Sequence, residues 1–134
     1  MSKLILVIVF FSSSIAFAER NRGQDELFHI NFGAEHEPGV LGTFRVGFTN
    51  FEMGMLNRSL NDWTFGIAYV LDLTPSLYTM IGLAAVGDDP GLFSAVGWEI
   101  GFWKFFDFRI EFNGSASYKN FSSGGMIIGL NVVL

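Results

Sequence analysis

The sequence predicts an all-β fold, an eight-stranded antiparallel up-and-down barrel, and three observations lead to it. Apolar and polar side chains alternate in one segment after another, and this period of two is that of a β-strand. Turn-forming residues separate the segments at short intervals, and such short connections join antiparallel neighbours. The composition is the third observation, because 16 of the 134 residues are Phe and 16 are Gly while only 16% are charged.

Length and charge limit the possible functions. A chain of 134 residues forms one domain. With no cysteine, neither disulfides nor a thiolate metal site are available. The net charge of −5 and the scatter of only eight basic residues exclude a nucleic-acid-binding surface, which needs clustered Lys and Arg.

The N-terminus is typical of an export signal. Lys3 precedes an apolar run at residues 4–11, and Ala16-Phe17-Ala18 fits the small-x-small cleavage pattern. We therefore expect a signal peptide at residues 1–18, cleaved after Ala18, then a short segment at 19–26 and the barrel at 27–134. A short membrane anchor is the alternative, but three serines at 12–14 interrupt the run too early for a transmembrane helix.

Eight strands account for the remaining chain. The segment 62–73 alternates most clearly, with aromatic and aliphatic residues at one parity and small or polar residues at the other. In the segment 76–87, Tyr78 does not lie on the same face of the strand as the other large apolar residues. This departure predicts either a bulge or an inward tyrosine. Turns are expected near Thr49, at 87–91 and at 120–124. The predicted strands are 27–35, 40–48, 50–56, 62–73, 76–87, 92–102, 106–118 and 125–134.

The two faces of these strands predict a transmembrane barrel. The interior of an eight-stranded barrel is only just wide enough for side chains, and the large apolar set would overfill it. The other face is rich in glycine, which makes room inside a narrow barrel and has no evident use on a solvated surface. We therefore expect the apolar face to meet hydrocarbon, while a soluble, lipocalin-like barrel is the alternative. Strands of about 9–11 residues suit a tilted crossing of a bilayer.

Charged residues interrupt the polar face in the middle of strands. An unpaired charge inside a barrel of low dielectric constant is very costly, so these residues should pair with each other. The predicted network that closes the lumen consists of Arg45, Glu52, Glu99, Arg109 and Glu111.

Large aromatic residues of the apolar face are candidates for the girdles at the two membrane interfaces. The candidates for this lipid-facing set are Trp63, Tyr69, Trp98, Trp103 and Phe106.

The strand Phe108-Arg109-Ile110-Glu111-Phe112, the final segment 125–134 and the export signal together resemble the small OmpA-type and opacity-type outer-membrane barrels of Gram-negative bacteria. The resemblance covers the whole mature chain and is architectural. It implies an inward Arg and Glu on the penultimate strand and a final strand that is read by the assembly machinery. Members usually end in an aromatic residue, where this chain has Leu134.

The residue types and their spacing favour a protein without catalytic activity, cofactor or metal. His29 lies on the polar face and is expected to be a satisfied lumen histidine, while His36 belongs to a turn without a third metal ligand. A lipid A acyl hydrolase is one alternative, because small outer-membrane barrels include such enzymes, but no histidine accompanies the serines at 115 and 117. A very narrow pore is another. We expect a structural or interaction role in the outer membrane, with lipid, lipopolysaccharide and other membrane proteins as partners.

Overall fold

A computed structural model describes residues 28–35, 41–58, 63–119 and 121–134. The signal peptide predicted at 1–18, the segment 19–26 and His36 lie outside these described residues. The eight strands are β1 (His29–Glu35), β2 (Leu41–Phe48), β3 (Phe51–Arg58), β4 (Trp63–Asp72), β5 (Leu77–Val86), β6 (Asp89–Trp103), β7 (Phe106–Ser117) and β8 (Phe121–Val133).

Each strand pairs with its neighbours in the sequence, and β1 pairs with β8 to close the barrel. All pairings are antiparallel, and the closing ladder runs from the His29–Val133 pair to the Glu35–Ile127 pair. The prediction of a closed, eight-stranded antiparallel barrel is therefore confirmed. Closure leaves no sheet edge, so the backbone of each strand has a partner on both sides. Among the described residues there is no helix that is both long and apolar enough to span a membrane, a finding that concerns helices alone.

The two ends of the barrel differ in their connections. What we call the terminal end holds the start of β1, the end of β8, the turn at Thr49–Asn50 and the connections after β4 and β6. The opposite end holds the connections after β1, β3, β5 and β7. The tight reversal predicted near Thr49 is present, and Thr49 has a positive φ of 52° there.

Two predicted turns are longer than those in the structure. The segment 87–91 contains only a two-residue reversal at Gly87, where φ is +60°, and β6 begins at Asp89. Pro90 is tolerated in the strand because the ladder between β6 and β7 begins only at Gly91, so its missing N–H leaves no bond unmade. The second turn, predicted at 120–124, is likewise shortened, since β8 begins at Phe121.

A β-bulge changes the parity of β3. The register between β3 and β4 shifts between Met55 and Asn57, so that both Leu56 and Asn57 are buried. A bulge adds one residue to one strand and turns local backbone groups away from the ladder. Here buried side chains of β2 donate hydrogen bonds to two of these backbone carbonyls. Thr43 Oγ1 donates to the Met55 carbonyl at 2.9 Å, and Arg45 Nη2 donates to the Leu56 carbonyl at 2.5 Å.

Candidate functional site

The five charged residues of the predicted network all point into the barrel. Arg45 lies on β2, Glu52 on β3, Glu99 on β6, and Arg109 and Glu111 lie on β7. Each is almost completely buried, Arg45 at 0% and Arg109 at 1% exposure. Charges are almost never buried to this extent unless they are paired.

Arg109 joins the carboxylates of two strands, the neighbouring β6 and the distant β3. Its Nε and Nη2 atoms donate to Glu99 Oε2 at 3.0 and 2.7 Å. Its Nη1 and Nη2 atoms donate to Glu52 Oε2 and Oε1 at 3.0 and 2.7 Å. Such charge-assisted bonds through a planar guanidinium fork are the strongest that side chains form. Arg109 thereby ties β7 to β3 across the interior as well as to its neighbour β6.

Arg45 forms the second half of the network. Its Nη1 and Nη2 atoms donate to the two oxygens of Glu111 at 2.8 and 2.6 Å in a bidentate pair. Nη1 also donates to Glu52 Oε2 at 3.2 Å. Glu52 is therefore the carboxylate that both arginines share, and the two halves form one continuous cluster.

Two residues extend this cluster beyond the predicted five. His29 Nε2 lies 3.0 Å from Glu52 Oε1, and the Tyr78 hydroxyl donates to Glu111 Oε2 at 2.8 Å. The guanidinium of Arg109 lies over the Tyr78 ring, 4.8 Å from its centroid. Tyr78 is thus the inward tyrosine, one of the two outcomes that its parity predicted. The cation–π contact between Arg109 and the Tyr78 ring could not be inferred from the sequence, because β5 and β7 are not adjacent.

A second polar cluster lies nearer the opposite end. Asn57 Nδ2 donates to Asn113 Oδ1 at 2.9 Å, and the hydroxyls of Thr64 and Ser115 lie 3.1 Å apart. Asn113 Nδ2 lies 3.3 Å from Glu111 Oε1 and connects this cluster to the charged one. These neutral groups satisfy one another in the interior, where an unpaired polar group would be costly.

The interior also has an apolar wall, formed by residues on β3, β4, β5 and β6. This wall packs against the charged cluster, and the Arg45 guanidinium lies 5.4 Å from the centroid of the Phe93 ring. Among the described residues, buried apolar and charged side chains thus pack together in the interior, which is only just wide enough for side chains in a barrel of eight strands. Its buried members are Leu56, Ala68, Val70, Tyr78, Met80, Phe93 and Ala95.

Inward glycines provide the space that the large interior side chains occupy. A Cβ atom on Gly47 would overlap the imidazole ring of His29, and one on Gly97 would overlap the phenol of Tyr78. Each of these two glycines is thus matched to one bulky side chain of a neighbouring strand. The glycine-rich face of the sequence is the inner face of the barrel.

The outer face carries the large apolar side chains. The five aromatic residues predicted as lipid-facing all lie there: Trp63, Tyr69, Trp103 and Phe106 are exposed, and Trp98 is half-buried. Trp63 begins β4 at the opposite end, while Trp103 and Phe106 flank the connection after β6 at the terminal end. The exposed fraction of Trp103 reaches 71%.

The residues considered for hydrolysis lie far apart. Ser115 is buried in the neutral polar cluster and faces inward. His29 is the register partner of Val133, whereas Ser115 is that of Ser122 on the same strand β8. Val133 and Ser122 are 11 residues apart on β8, which at about 3.4 Å of rise per residue separates the two positions by about 37 Å. In the part of the chain that the structure describes, no group of three or more His, Asp or Glu side chains is arranged to hold a metal ion.

The fold and the site together define a closed eight-stranded β-barrel with a charged, filled interior and an apolar exterior. Comparison with known proteins identifies no matching family model, no similar curated protein and no similar solved structure.

Proposed function

We propose that the protein is an integral β-barrel of a bacterial outer membrane with a structural or interaction role. The observation that carries this proposal is the inverted distribution of side chains. Fully buried arginines and glutamates fill the interior, while large apolar residues such as Phe48, Phe65 and Leu83 are more than half exposed on the outside. Water would make that exterior an aggregation hazard, whereas hydrocarbon is the solvent for which it is suited.

The closed sheet supports the same proposal. In a bilayer every backbone N–H and C=O group must be satisfied by the protein, and a closed barrel meets this demand because it has no edge. Tryptophans near both ends of the barrel are placed as interfacial girdles would be. The export signal proposed at residues 1–18 would deliver the chain to the outer membrane, and the resemblance to OmpA-type barrels is part of this proposal.

The proposed interaction partners follow from the two surfaces. The exterior would contact outer-membrane lipid, lipopolysaccharide and other membrane proteins. The interior would close the barrel, because one continuous cluster of ions and neutral polar groups packs there against the apolar wall. A lipid A acyl hydrolase and a narrow pore have less support, since Ser115 lies inside and far from His29, and the lumen is packed.

Fractionation of an expressing Gram-negative host tests the proposal. We expect the protein in the outer-membrane fraction, extractable only with detergent, and with a gel mobility that changes when the sample is boiled. A matched variant that lacks residues 1–18 should remain inside the cell. Release of the full-length product into a detergent-free soluble fraction would contradict the proposal.

A further inference from the structure

The inner face of the barrel carries a row of three buried polar side chains near the terminal end. Asn131 of β8 is the register partner of both Asn31 of β1 and Asp107 of β7. The exposed fractions of Asn31, Asn131 and Asp107 are 1%, 0% and 5%. Directly paired residues of antiparallel strands have Cβ atoms about 4.5–5.5 Å apart. Side-chain oxygens of all three residues can therefore reach one small ligand.

The amide of Asn131 is the group in this row whose hydrogen bonding is incomplete. Neither its Nδ2 nor its Oδ1 atom has a hydrogen-bond partner among the described residues. A buried amide in this state costs the desolvation of both a donor and an acceptor. Buried polar groups in folded proteins have partners, so we expect a polar ligand at Asn131.

The row is accessible from the terminal end beside Gly101 of β6. Gly101 is the register partner of Asp107 and is exposed, although alternation from the buried Glu99 places it on the inner face. Among the described residues, apart from the chain neighbours of Gly101, a Cβ atom built there would have one heavy atom within 4 Å, which is Asp107 Oδ1 at 3.2 Å. A small solute can therefore enter the space in front of Asp107.

Size and donor chemistry select the ligand. The interior of an eight-stranded barrel is only just wide enough for side chains, which favours a monatomic ion over an organic molecule. Carboxylate and amide oxygens are the ligands that Ca²⁺ prefers, at distances of about 2.3–2.6 Å. Asn31 donates from Nδ2 to the Leu130 carbonyl at 3.3 Å, so Oδ1 is its atom suited to a cation. Asp107 takes part in another interaction, but the two oxygens of a carboxylate can serve more than one partner.

We propose that the terminal end holds a calcium-binding site formed by Asn31 Oδ1, Asn131 Oδ1 and one carboxylate oxygen of Asp107, with water completing the coordination shell. The second carboxylate oxygen would accept a hydrogen bond from Asn131 Nδ2, so that both atoms of this amide gain a partner. Because the site has a single carboxylate, it should bind Ca²⁺ weakly, with a Kd of about 1 mM. The site depends on the closed barrel and is independent of the proposed location in a membrane.

Urea unfolding at increasing CaCl₂ tests the site. The protein is folded in a zwitterionic detergent, so that no anionic lipid binds the ion, and is first treated with EDTA. At about ten times the Kd, Ca²⁺ should lower the equilibrium constant of unfolding about tenfold, because it binds only the folded barrel. NaCl of equal ionic strength should not reproduce this effect, since it only screens charges.

Three variants separate the site from other effects of calcium. Asn131→Leu replaces the amide by an apolar group of the same branched shape. It should be at least as stable as the wild type without Ca²⁺, and its stability should not respond to Ca²⁺. Asp107→Asn should weaken the response, because ligand charge sets the affinity of such sites. Asp88→Asn, changed at an exposed turn of the opposite end, should respond as the wild type does.

Nuclear magnetic resonance gives a second readout in the wild type, which does not depend on the folding of the Asp107 variant. The side-chain NH₂ signals of Asn131 should shift as CaCl₂ is added and then saturate. Their loss in Asn131→Leu confirms their assignment.

An equal response of the wild type and Asn131→Leu, or Asn131 signals that do not move, would overturn the site. Unfolding of the wild type that is insensitive to Ca²⁺ would also overturn it and assign ordered water as the partner of the amide. Calcium binding by a barrel that proves soluble in water would support the site while contradicting the membrane proposal.

Discussion

Removal of the Arg109 side chain is the perturbation that most directly tests the charged interior. Arg109→Ala deletes four hydrogen bonds of 2.7–3.0 Å and leaves the carboxylates of Glu52 and Glu99 in the interior. Removing one partner of a buried ion pair costs about 3–5 kcal/mol, chiefly because the remaining charge stays desolvated. We expect the free energy of unfolding to fall by about that amount. Arg109→Lys should give an intermediate loss, since an ammonium group cannot bridge two carboxylates as a planar fork does.

Equilibrium unfolding by urea in lipid vesicles, followed by tryptophan fluorescence and by gel mobility, measures the loss. Lys119→Ala is the matched control, because it also deletes one cation from an ion pair. Its partner Asp89 is 3.4 Å away, but the Lys119 side chain is 70% exposed. Exposed pairs contribute about 1 kcal/mol or less, so this variant should be nearly as stable as the wild type. Equal losses for Arg109→Ala and Lys119→Ala would refute the reasoning.

Three further predictions concern space, a single hydrogen bond and the outer face. Gly47→Ala should lower the yield of folded barrel, because its methyl group would overlap the ring of His29; folding into vesicles, scored by gel mobility, measures this. Tyr78→Phe removes the hydroxyl that donates to Glu111 at 2.8 Å and should cost about 1.5–3 kcal/mol in urea unfolding. Phe65→Arg, at an outward site that is 53% exposed, should cost about 2–4 kcal/mol in a bilayer if it lies near the midplane.

Matched substitutions separate these effects from general fragility. Gly101→Ala should be tolerated, because the nearest atom to its new methyl group is Asp107 Oδ1 at 3.2 Å, the end of a side chain that can adjust. Tyr69→Phe should change little, since its hydroxyl is exposed and takes part in a long 3.4 Å contact with Asn50. Phe65→Leu should be close to neutral. Equal behaviour of a test variant and its control would contradict the corresponding prediction.

The sequence was sufficient to predict the barrel, because period-two alternation and short turns are local signals. The β6–β7 hairpin shows both the strength and the limit of these signals: the sequence predicts its short turn, but a register shift between Gly101 and Trp103 is also needed to place Glu99 opposite Arg109. The turns were overestimated at 87–91 and 120–124, where turn-forming residues continue into the strands. Composition marks residues that tolerate a turn, whereas the ladder of the neighbouring strand decides where the strand begins.

The choice of partners across the interior could not be predicted. Arg45 and Glu111 are 66 residues apart and Arg109 and Glu52 are 57 apart, so both contacts depend on the closure of the barrel. The bulge at Leu56 was also missed, because it breaks the alternation only at the end of a predicted strand. It matters to the site, since the Leu56 carbonyl is one of the acceptors of Arg45.

The central claim is that the apolar outer face lies in hydrocarbon. Refolding into vesicles whose acyl chains carry bromine tests it directly, because bromine quenches nearby tryptophan, and all three tryptophans, Trp63, Trp98 and Trp103, lie on the outer face. We predict strong quenching by the brominated chains and little quenching by acrylamide in the water. Strong acrylamide quenching with no effect of the bromine would contradict the claim.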